Sequence, residues 1–149
     1  MIRLGGGAAS EPAEPLPQTD LASFRSACFE ATRGIGARTE ELAFAGASSF
    51  HAVTIAGRAG SHAVLCHDHL PLVAFTGTSP VPGRPVSGFV DPPAWAGGFD
   101  AVGLRALPTR DLNAPMASVD LSELANAELA QIRYWRPGVV GDLLFNWWG

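Results

Sequence analysis

Lysine is absent from this chain: all ten basic side chains are arginine, set against fourteen Asp and Glu for a net charge of −4. A general nucleic-acid binder carries a basic surplus, so the acidic balance argues against nucleic acid as a partner. Arginine-only usage with abundant Ala, Gly and Pro suggests a GC-rich bacterial genome and carries no chemistry. Cysteine is scarce as well. Cys28 and Cys66 are too few for a disulfide-dense scaffold, and the reading they favour is two free buried thiols in a cytoplasmic protein. No run of about 18 apolar residues occurs, so neither a transmembrane helix nor a membrane partner is expected. The start, Met1-Ile2-Arg3-Leu4 followed by three glycines, lacks an apolar stretch of signal-peptide length, which again points to the cytoplasm.

What is present fits one small domain. The 149 residues are 47% hydrophobic, enough for a core without metals or cross-links. Residues 1–19 read as a flexible Gly/Pro-rich tail, with Gly5-Gly6-Gly7 and Pro12, Pro15 and Pro17. The glycines are not a phosphate loop, because no strand precedes them and no G-K-[ST] follows. Residues 20–149 form the folded part. Asp20 is placed to cap a helix over about 21–33, with Leu21, Phe24, Cys28 and Phe29 at helical spacing and Gly34 and Gly36 as the stop.

The middle of the chain predicts a meander: 50–56, 62–67 and 70–75 are rich in β-branched and aromatic residues and separated by short turns. Further short strands are expected over 86–90 and 101–106, with loops over 77–85, 91–99 and 107–118. Asp120 and Glu123 form a capping-box variant ahead of a helix. Pro137 can open the last helix, in which Val139, Leu143 and Trp147 make one row and Val140, Leu144 and Trp148 its neighbour. The fold class is therefore α+β: a mainly antiparallel sheet of about four to six strands, one N-terminal helix, and one or two C-terminal amphipathic helices packed on it.

Two constellations could carry function. With tight turns at Arg58-Ala59 and Asp68-His69, Ile55 faces His62, Val53 faces Val64 and His51 faces Cys66, while Val64 faces Val73 and Cys66 faces Pro71 in the second hairpin. Cys66, His51 and Asp68 would then share one face as a candidate thiol, base and orienting acid. Cys66-His67-Asp68-His69 also offers zinc-type ligands, but adjacent strand positions alternate sides and no C-x-x-C or H-E-x-x-H spacing exists, so no metal or cofactor is assigned. The plain alternative is that Cys66 packs in the core while His67 and His69 decorate a turn.

The second constellation is the C-terminus. Tyr134, Trp135, Phe145, Trp147 and Trp148 are five of the 13 aromatics, with Arg133 and Arg136 among them. Trp, Tyr and Arg dominate interface hot spots, so this segment reads as a docking surface for a protein partner or a flat ligand. Trp95, in Pro92-Pro93-Ala94-Trp95, could line a further pocket. The plain alternative is a terminal helix that packs its Val139/Leu143/Trp147 stripe on the sheet, leaving Phe145 off the stripe. The favoured function is a small bacterial binding module of accessory or immunity-like type. The alternatives are an enzyme using Cys66 with His51, and an apolar small-molecule site lined by Phe75, Phe89, Trp95 and Trp135.

Overall fold

Asp20 caps the first helix as its sequence position implies. In the computed structural model its carboxylate accepts from the backbone N–H groups of Ala22 at 3.1 Å and Ser23 at 3.3 Å, satisfying two donors that a helix start leaves unpaired. Helix α1 (Leu21–Ile35) runs two residues past its expected end, because Gly34 stays helical and Gly36 is the stop. Gly36 sits at φ 65°, ψ 33°, a left-handed conformation that costs glycine little, and its N–H bonds back to the Thr32 carbonyl. The structure describes residues 2–3, 20–43, 48–58, 60–116, 119–120, 132 and 136–147.

The strands are β1 (Ile2–Arg3), β2 (Arg38–Leu42), β3 (Phe50–Gly57), β4 (Gly60–His67), β5 (Leu72–Thr76), β6 (Phe89–Val90), β7 (Arg105–Ala106) and β8 (Val119–Asp120). Six of them form one mostly antiparallel sheet in the order β2-β3-β4-β5-β6, with β7 pairing parallel to β5. Two residues of the expected tail, Ile2 and Arg3, pair in parallel with Val119 and Asp120. An α+β fold with an N-terminal helix is what the sequence called for. No helix among the described residues is long and apolar enough to cross a membrane.

The first hairpin has the expected register: Ile55 opposes His62, Val53 opposes Val64, and His51 opposes Cys66. The second is shifted by two residues, so Val64 opposes Phe75 and Cys66 opposes Val73. The link between these strands has four residues (68–71) rather than two, and Pro71 falls outside the ladder, where its missing N–H costs nothing. A shift by an even number leaves every side chain on its expected face.

Both faces of the sheet are covered. Val53, Ile55, Val64, Cys66, Val73 and Phe75 pack under α1 against Phe24, Ala27 and Cys28. Phe50, Ala52, Ala63, Leu65 and Ala74 pack on the other side against Leu107, Leu112, Val140, Leu144 and Phe145. Strands covered on both sides need apolar residues at successive positions, which is why β4 and β5 read as nearly continuous apolar runs.

Three local expectations change. The stretch 91–101 is not a loop followed by a strand: a 3₁₀ turn (Ala94–Ala96) leads into helix α2 (Gly97–Ala101), which sinks Phe99 into the core, and β7 is only two residues long. Helix α3 (Thr109–Leu112) follows where a loop was expected. Its Thr109 N–H is received at 2.9 Å by Asp91 from a distant segment. The last helix, α4 (Val140–Leu144), stops at Leu144 and the chain extends at Phe145 (φ −121°, ψ 99°). The extension turns Phe145 inward to 1% exposure, and Val140 and Leu144 form the deep row in place of Val139 and Leu143.

Gly141 permits the close approach of α4. A Cβ there would stand 2.7 Å from a Phe89 ring carbon and 3.1 Å from the Leu112 carbonyl oxygen. Gly141→Ala is expected to lose about 1–3 kcal/mol by overpacking, measured by urea unfolding. A neutral or stabilising result would contradict this packing.

Candidate functional site

The expected thiol site is only partly assembled. His51 Nε2 lies 3.1 Å from Asp68 Oδ1, with both groups reaching solvent. The contact is close but not aligned as a hydrogen bond, and among the described residues that buried oxygen has no donor. Burial pushes the Asp68 carboxyl above its ordinary value, while His51 and then His69 pull it back. Cys66 opposes His51 in register yet has no exposed surface, and its thiol points to the neighbouring His67 carbonyl at 3.7 Å. Burial, with a smaller push from Asp68, raises the Cys66 thiol to about 12. Cys28, in the same core, is raised to about 12 by burial and then by Cys66 and Glu41.

A nucleophilic cysteine needs its thiolate near neutral pH, and nothing in this environment favours one. Cys66 is expected to resist alkylation by iodoacetamide at pH 8 in the folded chain and to react on unfolding. Rapid labelling of the folded protein would contradict the burial. Among the described residues, no group of three or more His, Cys, Asp or Glu gathers to hold a metal ion.

His67 does something the sequence did not announce. Its Nδ1 accepts the backbone N–H of His69 at 3.1 Å and of Leu70 at 3.0 Å. The imidazole thereby plays the part that an Asn or Asp side chain plays in an Asx turn, folding the four-residue link over itself. A nitrogen accepting two N–H bonds carries no proton, which assigns the ring proton to Nε2. Burial, aided by His69, lowers the His67 pKa to about 4.

Four of the C-terminal candidates, Arg133, Tyr134, Trp135 and Trp148, lie outside the described residues. Arg136 is exposed at φ 50°, an uncommon left-handed position for a residue with a side chain, and its N–H reaches the Ile132 carbonyl at 2.8 Å. The following segment is structural. Ser49 Oγ donates to the Leu144 carbonyl at 2.7 Å and accepts the Asn146 N–H at 2.9 Å. Trp147 stands 5.1 Å from Phe50 and donates its Nε1–H to the Arg84 carbonyl at 2.7 Å.

Trp95 occupies a more open setting. The 3₁₀ turn that Pro93 introduces presents its ring edge-on to Phe75 at 5.7 Å and to His62 at 6.0 Å. Phe75 in turn meets Phe99 at 5.8 Å, so a row of buried rings backs the indole. In front of Trp95 is a cleft of about 190 Å³, lined by Ile35, Ile55, Gly57, Arg58, Gly60, His62 and Trp95. The end of α1, the β3–β4 turn and the 3₁₀ turn each supply part of it.

Phe75 and Phe89, two of the four residues expected to line an apolar pocket, do not share one. Phe75 pairs with Val90 and Thr76 with Phe89, which places the two phenylalanines on opposite faces of the sheet. Phe75 backs Trp95, Phe89 packs with Phe145 at 6.2 Å, and Trp135 lies outside the described residues. Of the cleft residues, Trp95 stands out in the sequence as a site candidate, whereas Ile35, Arg58 and His62 do not. The expected Ile55–His62 pairing carried the available signal, whereas the approach of α1 and the 3₁₀ turn to that pair is a matter of tertiary packing.

Comparison of the chain with protein-family models, curated proteins and solved structures returns no match.

Proposed function

We propose that this protein is a small binding module that receives one anchor side chain of a protein partner in the Trp95 cleft. The observation that supports this reading is the size and lining of the cleft. Pockets that enclose small organic ligands usually measure about 300–1,000 Å³. A cleft of about 190 Å³ is smaller, and suits a single aromatic or branched side chain. Trp and Arg at its rim are the residue types that recur where interface energy concentrates. The same size argument disfavours the apolar small-molecule reading, and the buried, protonated thiol disfavours an enzyme built on Cys66 with His51.

The proposed setting is a bacterial cytoplasm, in an accessory or immunity-like role. Arginine-only basic usage and two unbridged thiols in one core support that setting. The C-terminal residues Arg133, Tyr134, Trp135, Arg136 and Trp148 are proposed as a second contact region, supported by composition and by the exposure of Arg136.

The test is an NMR titration with N-acetyl-phenylalaninamide, a minimal anchor. At about −0.3 kcal/mol per heavy atom, a probe of about 15 heavy atoms binds in the millimolar range. Amide shifts are expected to concentrate at 57–62 and 94–96 and to disappear in Ile35→Glu, a substitution at a position 43% exposed. Absence of shifts at those residues, or shifts unaffected by Ile35→Glu, would overturn the reading.

A further inference from the structure

We infer that the Trp95 cleft selects a partner segment in which an aromatic residue is followed by an acidic one, with Arg58 reading the charge; this rests on the binding role proposed above. Among the described residues lining the cleft, Arg58 is the one permanently charged side chain and none is acidic. It sits in the two-residue turn between the paired glycines Gly57 and Gly60 and is exposed. Gly60 takes φ 129°, a conformation that side chains rarely adopt, which suits a tight connection at this end of the hairpin. Arg25, Arg33 and Arg105 are each paired with a carboxylate, Glu41, Glu30 and Asp111 respectively, whereas Arg58, like Arg38, Arg84, Arg110 and Arg136, has no ion-pair partner among the described residues, and of these only Arg58 lines the cleft.

The other lip has the opposite polarity. Ile35 is the last residue of α1, and a helix C-terminus carries partial negative charge on its free carbonyls. An anion is therefore disfavoured on the Ile35 side and favoured on the Arg58 side. Between the lips, Ile55 and the Trp95 indole offer an apolar floor and wall for a ring. The guanidinium can both grip a carboxylate through two N–H groups and lie against an aromatic face. The chain as a whole is acidic at −4, so the attraction is local to the cleft and extends only about 10 Å at 0.1 M salt.

The test compares acetyl-Phe-Glu-amide with acetyl-Phe-Gln-amide by NMR titration of the full chain. The Glu peptide is expected to bind about three- to fivefold more tightly at low salt, the range of an exposed ion pair. The preference should vanish at 0.5 M salt and in Arg58→Gln, whose exposed turn position leaves the core untouched. Equal affinities in the unmodified chain at low salt, or a preference that survives Arg58→Gln, would overturn the charge selection while leaving the cleft as a binding site. Failure of both peptides and of N-acetyl-phenylalaninamide to shift the cleft resonances would overturn the selection and the binding role together.

Discussion

Phe75→Ala is expected to cost about 3–5 kcal/mol of folding stability, the usual range for emptying an aromatic site in a core. Phe75 has no exposed surface and stands where three things meet: β4 and β6 on either side, Phe99 of α2, and the Trp95 indole. No neighbouring element can collapse into the vacancy without leaving its own partners. A small domain is stable by only about 5–15 kcal/mol, so the loss is a large share of the total. With an m-value near 2 kcal/mol per molar, the urea midpoint should fall by about 2 M. Phe75→Leu, which keeps the site apolar and partly filled, should lose much less. A loss under about 1 kcal/mol for Phe75→Ala would contradict the packing that positions Trp95. The same vacancy also removes the wall behind the indole, so binding of the aromatic probe should weaken even at temperatures where the variant remains folded.

Acidification is expected to destabilise the fold between about pH 6.5 and pH 4, through His67. The folded state holds this imidazole neutral with a pKa near 4, against 6.5 when it is free. Between those values the unfolded chain binds the extra proton and the folded chain does not, so stability rises with pH. The contribution is fully present above about 6.5 and lost as pH falls to about 4. A difference of about 2.5 units corresponds to on the order of 3 kcal/mol. Burial is the main cost of charging this ring and His69 adds to it, while a protonated Nδ1 could no longer accept the His69 and Leu70 N–H groups. Asp68 works the other way. Burial raises its carboxyl, so the folded state takes up that proton first and gains stability as pH falls through that region. The caps Asp20 and Asp91 are held below the ordinary carboxylate value and release their N–H partners only at lower pH.

Urea unfolding at pH 7, 5.5 and 4 measures the slope. His67→Asn provides the comparison, because its carbonyl can accept the same two N–H bonds and has no proton to gain. The variant should lose the His67 share of the slope. An unchanged slope in His67→Asn would place the acid sensitivity elsewhere.

Much of the sheet was legible because local chemistry decided it. Asp20 and the Phe24/Cys28 spacing specified α1. Two glycines around Arg58-Ala59 specified a tight turn, and with it the register that sets His51 against Cys66. The second hairpin went astray because His67 acts as the turn's hydrogen-bond acceptor, a role with no sequence signature of the Asn-Gly kind. Strand β2, Arg-Thr-Glu-Glu-Leu, has little β propensity and forms because β3 offers it a free edge. Its charges in turn suit an exposed sheet border. At the C-terminus, helical spacing grouped Val140 with Leu144 but the row expected to face the sheet was Val139, Leu143 and Trp147, and the helix ends before Phe145, which is buried against Phe50.

The candidate site was less legible than the fold. The pairing of Cys66 with His51 followed from the first hairpin's register and Asp68 falls in the link after β4, yet alternation and pairing say nothing about what lies above a face. Helix α1 covers Cys66 and leaves His51 uncovered. The cleft needs Ile35, Arg58 and Trp95 together, and these come from three elements separated by 23 to 37 residues of chain.

The most direct test of the binding role is a search for intermolecular NOEs between the ring protons of N-acetyl-phenylalaninamide and the folded chain. NOEs to the Trp95 indole and the Ile55 and Ile35 methyls, with none to Trp147, are the expected result. NOEs confined to other surfaces, or none at saturating probe, would contradict it.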